Sequence, residues 1–376
     1  MKRYYVVNDF FGLRVYDSKC KEEFYFDDNE KTKIKKLLRD DYEEIIVPRR
    51  QNNSLSAPLK ISFNITKNCN LNCKQCFSDS GLVCDDELTT NEVKDLFDDM
   101  KEHGTFFICI GGGEPLIRSD ILEILEYGKE KGLAVSIVTN GLLLTEELIN
   151  KLNLVQLDTL WISFEGLKSS HDLLRGEGMF EKAITALELL NKYYDGKVAI
   201  RVSVSKNNLA ECMDMVAIAE KYNVDLIRFT PLMAYGRAKN LDIVLSQDEY
   251  IEFLETVSNI KSKTTIVTPL NIEKNKFWIT PSQFGCHCGK EAVWIDEKGR
   301  YSPCFFFGED AFVGNIRTDS YLELWDMSNK LTNFEGNDTC KSCQNYFQCR
   351  GGCRARALLV KNSLDAVDPL CPLKNN

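Results

Sequence analysis

The chain has no apolar run approaching the roughly 20 residues that a membrane helix needs. A helical membrane protein is therefore not expected. Its first residues, MKRYYVVNDFFGL, carry two basic residues, but Asn8 and Asp9 interrupt the apolar ones, so the continuous hydrophobic stretch of a secretory signal is missing. Basic charge is not in excess either: 47 Lys and Arg stand against 56 Asp and Glu, a net charge of −9. The basic stripe of a nucleic-acid surface is thus not expected, and a cationic or neutral partner is easier to accommodate. No repeat of fixed period and no low-complexity tract is present.

What the chain does have is sulfur. Fifteen cysteines is a large number without an export signal, because cytoplasmic thiols stay reduced and seldom form structural disulfides. Metal ligation in a cytoplasmic protein is the leading explanation, and the odd count suits it better than a full set of pairs. At 376 residues there is room for two or three domains.

Residues 1–55 read as a β-rich lead-in, with strand-like RYYVV, LRVYD and EFYFD followed by one charged helical stretch, NEKTKIKKLLRDDY. The polar segment RRQNNSLSAP marks a loop. From Leu59 short apolar runs alternate with helical segments: LKISFNI, TFFICI, AVSIVT, TLWISF, VAIRVSV and LIRFTPL. Six strands with intervening helices predict a parallel sheet with helices outside it, a full or partial barrel over residues 56–245. Thr90 and Ser119 are expected as helix N-caps and Gly132 as a stop. In such a fold chemistry sits at the C-terminal strand ends, where the first strand runs into a cysteine motif, the second into GGGEP, the third into TNG and the fourth into EG. Residues 246–285 form a bridging region. Residues 286–376 are cysteine-rich, with few long apolar periods, and metal clusters can staple such a region.

The motif NCNLNCKQCF places Cys69, Cys73 and Cys76 in C-x3-C-x2-C spacing directly after the first barrel strand. A closed zinc site wants four ligands, whereas a four-iron cubane on three cysteines leaves one iron open for a cofactor or substrate. Spacing alone leaves zinc, or three packed thiols, as alternatives. The surroundings resemble the radical S-adenosylmethionine (radical SAM) family, whose hallmark is this motif after the first strand of a partial (β/α)6 barrel. Gly112, Gly113, Glu114 and Pro115 reproduce the family's GGEP loop, which lies against the cofactor's amino group. Glycines there permit close backbone approach. Thr139 and Asn140 end the third strand, and Ser163 ends the fourth, where the family contacts ribose. HDLLRGEGMF resembles a further family segment, in which Arg175 is a candidate for the cofactor carboxylate. One departure is Gln75, at a position usually aromatic, so the resemblance suggests adenine packing with help from Phe77.

The tail reads as C-x12-G-x4-C from Cys286 to Cys304, then C-x2-C-x5-C-x3-C from Cys340 to Cys353, and finally Cys371. This closely resembles the SPASM extension of radical SAM enzymes acting on peptides, which houses two auxiliary four-iron clusters. A pair of zinc sites is the alternative. The resemblance implies Cys340, Cys343, Cys349 and Cys371 on the outer cluster and Cys286, Cys304 and Cys353 on the inner one, with Cys288 the candidate fourth ligand. Cys20, Cys84, Cys109 and Cys212 remain, mostly as small apolar residues. Cys212, at the start of a helix near the barrel rim, is a candidate hydrogen-atom donor. Arg350, Arg354 and Arg356 read as a solvated face.

The resemblance implies three 4Fe-4S clusters, S-adenosylmethionine, a reducing donor such as flavodoxin or ferredoxin, and a 5′-deoxyadenosyl radical that takes hydrogen from a peptide or protein. Modification of a ribosomally made peptide, by a thioether or carbon–carbon crosslink, is the expected function. A peptide epimerase, a sulfatase-type maturase and a non-catalytic iron–sulfur or zinc protein are the alternatives. The lead-in is either a shortened leader-recognition element working by strand addition or a cover for the barrel floor.

Overall fold

A computed structural model of the chain describes residues 1–50, 54–82, 84–269, 286–332, 334 and 337–373. The part of the bridging region from 270 to 285 lies outside them.

Tyr4–Asp9 (β1), Gly12–Asp17 (β2) and Glu22–Asp27 (β3) form an antiparallel meander, and Lys31–Leu38 is helix α1. A fourth strand, Tyr42–Ile45 (β4), was not evident in the sequence; it pairs in parallel with β1, giving the order β3-β2-β1-β4. Alternation sorts its side chains into two layers. Val6, Leu13 and Val15 pack with Ile34 and Leu38 of α1, while Tyr5, Val7, Tyr16 and Ile45 enter the main core. Tyr16 stacks on Phe106 with ring centroids 4.3 Å apart and donates to Gly132 O, and Arg14 donates to Gly104 O at 2.7 Å. Gly104 and Gly132 lie in loops feeding the N-terminal ends of barrel strands. The small sheet therefore covers the barrel floor, away from the rim that carries the motifs.

The six expected barrel strands are all present and parallel: Lys60–Asn64 (β5), Phe107–Gly111 (β6), Ala134–Thr139 (β7), Thr159–Phe164 (β8), Val198–Val204 (β9) and Leu226–Pro231 (β10). Helices Thr90–Glu102 (α2), Ile121–Glu130 (α3), Glu146–Val155 (α4), Lys168–Arg175 (α5), Met179–Tyr193 (α6) and Cys212–Lys221 (α7) intervene, and Gln247–Ser258 (α8) follows. The caps shift by one residue from expectation. Thr89, not Thr90, caps α2 in a reciprocal box with Glu92, because only Thr89 stands three residues ahead of a glutamate. Asp120, not Ser119, precedes α3. Gly132 does stop α3, at φ +87°.

The sheet continues past the six. Thr265–Val267 (β11) joins β10, and Ala292–Ile295 (β12) joins β5 in parallel, followed antiparallel by Arg300–Ser302 (β13) and Gly314–Asn315 (β14). The cysteine-rich region thus shares backbone hydrogen bonds with the barrel. It ends in helices Tyr321–Leu331 (α9), Asp338–Lys341 (α10), Tyr346–Cys349 (α11) and Arg354–Lys361 (α12). The expected loop before the barrel is not solvated throughout: Leu55, Ser56 and Ala57 are buried, with Trp325 Nε1 donating to Leu55 O at 2.8 Å and Asp9 accepting from Ser56 N. Among the described residues no helix is long and apolar enough to cross a membrane.

Candidate active site

The loop after β5 carries Cys69, Cys73 and Cys76, all half-buried. Backbone clamps hold it from three sides. Gly113 N donates to Thr66 O at 2.7 Å and Glu114 N to Asn68 O at 2.8 Å, so the loop after β6 lies backbone against backbone on the cysteine loop. A Cβ at Gly112 would stand 2.4 Å from Thr66 O, and one at Gly113 2.1 Å from Asn68 O. The two glycines are thus required by loop packing, before any ligand enters the reasoning. From α5, Leu174 O accepts from Lys74 N. From the loop after β10, Arg237 Nε donates to Cys73 O at 2.7 Å and its Nη1 to Ser80 O at 2.8 Å. Sequence reading missed Arg237. Its signal was its place, just past the end of the sixth strand, on the rim where functional loops gather.

Glu114 is fully buried and acts as a tie. Its carboxylate accepts from Thr139 Oγ1 at 2.7 Å, Asn140 N at 2.8 Å and Leu116 N at 3.1 Å. Asn140 Nδ2 in turn donates to Asn70 Oδ1 at 2.8 Å, inside the cysteine motif. Pro115 is buried and opens a short turn after it. Glu114, Thr139 and Asn140 are therefore brought together with the cysteine loop. Ser163 lies half-buried on β8.

In the segment from His171 to Phe180, most residues build structure. His171 Nδ1 accepts from Glu165 N, and Asp172 accepts from Gly178 N and Phe180 N, fastening the start of α6. Arg175 Nη2 pairs with Glu165 Oε1 at 2.8 Å. Arg175 Nε and Glu165 Oε2 are shut off from solvent with no partner, and so is Gln75 Oε1. Three orphaned polar atoms around one cysteine loop mark a place where a polar ligand fits. Burial pushes the Cys69 thiol up to about 11, with Glu114, Cys73 and Cys76 adding to the shift. Burial likewise raises Cys73, while Arg175 opposes it. Ligation to iron would reverse this, since a metal-bound thiol is deprotonated. The donor set and its surroundings fit an iron–sulfur cluster with a polar cofactor beside it.

Phe77 turns away from this pocket. Its ring meets Phe305 edge-on at 4.5 Å and Phe306 at 5.8 Å, in the cysteine-rich domain. Phe77 and Phe305, together with Tyr235 and Trp294, line a cleft of about 590 Å³ between the barrel rim and that domain. Cys212 is not brought to the site. It is 1 % exposed in the main core, its thiol near Asn208 O at 3.8 Å and pushed up to about 12 by burial, so the expectation of a hydrogen donor is withdrawn.

The C-terminal cysteines separate into two groups. Cys288 interacts with the thiols of Cys286 and Cys304 and is raised by Cys353 nearby, so these four converge. Cys340 is raised by burial, with Cys371 and Cys343 adding to it, and Cys349 is raised by burial, with Cys371 and Cys340 adding to it. Asp368 accepts from Cys353 N at 2.6 Å and pairs with Arg356 at 2.6 Å, bridging the two groups' neighbourhoods. The solvated basic face is corrected here: Arg354 is 4 % exposed and donates to Leu364 O and Ala366 O, and Arg356 is held by Asp368, because α12 packs these stems inward. None of the fifteen cysteines is joined in a disulfide. Among the described residues no three Cys, His, Asp or Glu side chains converge tightly enough to hold a single ion.

Residues 63–219 match the family model described as radical SAM superfamily, and residues 286–353 match SPASM, an iron–sulfur cluster-binding domain. Mycofactocin maturase MftC of Mycolicibacterium smegmatis is 30% identical over 329 residues, covering 84% of this chain and 83% of the relative. AdoMet-dependent heme synthase of Methanosarcina barkeri is 30% identical over 342 residues, covering 84% of this chain and 97% of the relative. The crystal structure of Streptococcus suis SuiB bound to precursor peptide SuiA superposes with a TM-score of 0.80 at 18% identity, covering 99% of both chains.

Proposed function

The chain belongs to the radical SAM superfamily and carries a SPASM iron–sulfur domain; on that premise we propose that it matures a ribosomally made peptide by forming a thioether or carbon–carbon crosslink. In this reading Cys69, Cys73 and Cys76 hold the cluster that binds S-adenosylmethionine. Gly112, Gly113, Glu114, Pro115, Thr139, Asn140, Ser163 and Arg175 surround that cofactor. Cys286, Cys288, Cys304 and Cys353 hold an inner auxiliary cluster and Cys340, Cys343, Cys349 and Cys371 an outer one, three 4Fe-4S clusters in all. Bound there and reduced by a flavodoxin or ferredoxin, that cluster and cofactor would supply 5′-deoxyadenosyl radical chemistry, the removal of a hydrogen atom from the substrate.

The chain's own residues hold and shield. Glu114 locks the second and third strand loops onto the cysteine loop, which fixes the direction of approach. Arg175, with one edge on Glu165, keeps Nε for a carboxylate. The observation that carries the peptide reading is the cleft walled by Phe77, which follows Cys76, and Phe305, which follows Cys304. A side chain seated there rests on the residue that follows a cysteine of each set, between the barrel rim and the cysteine-rich domain, and the volume suits one or two residues of a peptide. The relative named mycofactocin maturase points the same way. The small N-terminal sheet leaves β3 as an edge strand, available to an extended leader by strand addition.

The similarity to AdoMet-dependent heme synthase favours a second reading, a step in the synthesis of a tetrapyrrole. The test is anaerobic reconstitution to about twelve irons per chain, the count for three cubanes, then dithionite and S-adenosylmethionine. Formation of 5′-deoxyadenosine is expected, and its absence from iron-loaded protein sinks the enzyme reading. Added short peptides from neighbouring reading frames should lose a pair of hydrogens; a change of mass in an iron porphyrin and in no peptide would select the second reading.

A further inference from the structure

The inner face of the barrel carries an arrangement that none of the sites above uses. Along β8, β9 and β10, Ile162, Phe164, Ile200, Val202, Ile227 and Phe229 belong to the main core between sheet and helices. By strand alternation the residues between them face the barrel interior. Ser163 is registered against Arg201, and Arg201 against Arg228, so two guanidiniums stand side by side at the level of Ser163. One step deeper, Trp161 lies beneath both, with Arg201 Cζ 5.5 Å and Arg228 Cζ 4.9 Å from its ring centroid. One step towards the rim Ser203 pairs with Thr230, which is exposed, so the arginines are reached from the catalytic face.

Like charges directly across a strand pair repel, and burial sharpens the repulsion. Burial lowers Arg228 to about 10, and Arg201 adds to that. Other buried arginines are answered: Arg14 by Asp9 and Glu23, Arg175 by Glu165 and Arg356 by Asp368, while Arg354 donates to the carbonyls of Leu364 and Ala366. Among the described residues Arg201 and Arg228 make no ion pair or side-chain hydrogen bond, and Arg228 Nε is shut off from solvent without a partner. The face of Trp161 offsets part of this cost. A planar anion would offset the rest, and a carboxylate matches the guanidinium fork.

We propose that Arg201 and Arg228 form a carboxylate subsite inside the barrel, which takes either the C-terminal carboxylate or an Asp or Glu side chain of the peptide substrate. This rests on the peptide-modifying reading and adds to it a means of orientation. Clamping an acidic group at the level of Ser163 fixes which neighbouring hydrogen faces the rim, where the cysteine loop stands.

The test is isothermal titration of full-length, iron-loaded protein, held anaerobically with saturating S-adenosylmethionine. Three probes separate the sources: N-acetyl-glycylglycine, with a C-terminal acid only; N-acetylglutamic acid α-amide, with a side-chain acid only; and N-acetyl-glycylglycinamide, with neither. At least one acid is expected to bind and the amide not, and the acid that binds names the source. Arg201→Gln and Arg228→Gln should each weaken it about tenfold or more, the scale of a lost charge-assisted hydrogen bond. Arg228→Lys, which keeps the charge without the fork, should fall between. Should the Gln variants fail to fold, the Lys variants make the same comparison while leaving a cation over Trp161. Equal binding of acid and amide overturns the proposal, as does acid binding unchanged in the variants, or acid binding seen only when S-adenosylmethionine is omitted. Failure of the parent reading shows separately, as wild-type protein that yields no 5′-deoxyadenosine or that alters an iron porphyrin and no peptide, and leaves the titration untouched.

Discussion

Gly113→Ala is the most direct way to ask whether the second strand loop positions the cysteine loop. The added Cβ would stand 2.1 Å from Asn68 O, 2.7 Å from Asn68 C and 2.9 Å from Lys67 O. All three are backbone atoms leading into Cys69, so no side-chain rotation relieves the clash. A carbon–oxygen contact settles near about 3.3 Å, so the two loops must part by about 1 Å. That movement stretches the 2.7 Å bond from Gly113 N to Thr66 O and the 2.8 Å bond from Glu114 N to Asn68 O. Overpacking of this kind costs about 1–3 kcal/mol. A displacement of about 1 Å at a reacting centre costs about a hundredfold in rate. Gly178→Ala is the control: at φ +77° with nothing within 4 Å, it adds backbone strain without a clash. The assay is anaerobic reconstitution, iron content, initial rate of 5′-deoxyadenosine formation and a denaturant melt. Gly113→Ala should lose the rate and some iron of the first site, whereas Gly178→Ala should lose about 1–2 kcal/mol of stability and retain the rate. A Gly113→Ala enzyme within twofold of wild type, or equal damage from both variants, would refute the clamp.

Arg237→Ala removes two donors from the backbone of the cysteine loop, at a cost of about 2 kcal/mol; amide exchange over residues 73–80 should accelerate, and unchanged exchange counts against the contact. Cys212→Ala should leave the product unaltered and cost about 1–2 kcal/mol through the small core cavity; a changed product would restore a chemical role. Asp368→Asn weakens the hold on Arg356 and Cys353 N, so iron should be lost from the C-terminal sites while the first site still cleaves cofactor. Burial holds His171 neutral, its pKa pushed down to about 3, with Arg175 adding to the shift. The unfolded chain therefore takes up a proton below about 6.5 that the folded chain refuses, and stability present above that pH is lost as pH falls through it towards 3. Urea melts at pH 7.5 and 5.5 should show a larger loss for wild type than for His171→Gln.

The barrel was legible because its signals are local. Each of LKISFNI, TFFICI, AVSIVT, TLWISF, VAIRVSV and LIRFTPL is a strand, and each motif sits on the loop that its place in the chain implied. What escaped depended on partners distant in sequence. YEEI becomes β4 only because β1 offers an open edge, and nothing in four residues with two glutamates announces it. Leu55–Ala57 is buried because α9 brings Trp325 to it from 270 residues away. Cys212 starts a helix near the rim, as expected, yet helix phase turns its thiol inward beside Met215 and Val216. Phe77 follows the third motif cysteine, but Phe305 and Phe306 draw it towards the other domain.

Net charge shows most clearly where composition misleads. A chain at −9 reads as a host for cationic or neutral partners, yet the sum counts solvated faces and interior alike. Strand alternation puts Arg201 and Arg228 inside, with Trp161 under them, and among the described residues no carboxylate answers either. Charge on a solvated face is screened within about 8–10 Å by salt. Charge inside a barrel is screened far less, so two unanswered guanidiniums outweigh the surface surplus in deciding what enters. An acidic group on the substrate would be repelled weakly by the exterior and held strongly by the interior. Affinity for it should therefore rise, not fall, when added salt screens the exterior, up to the concentration at which salt anions themselves begin to compete for the arginines.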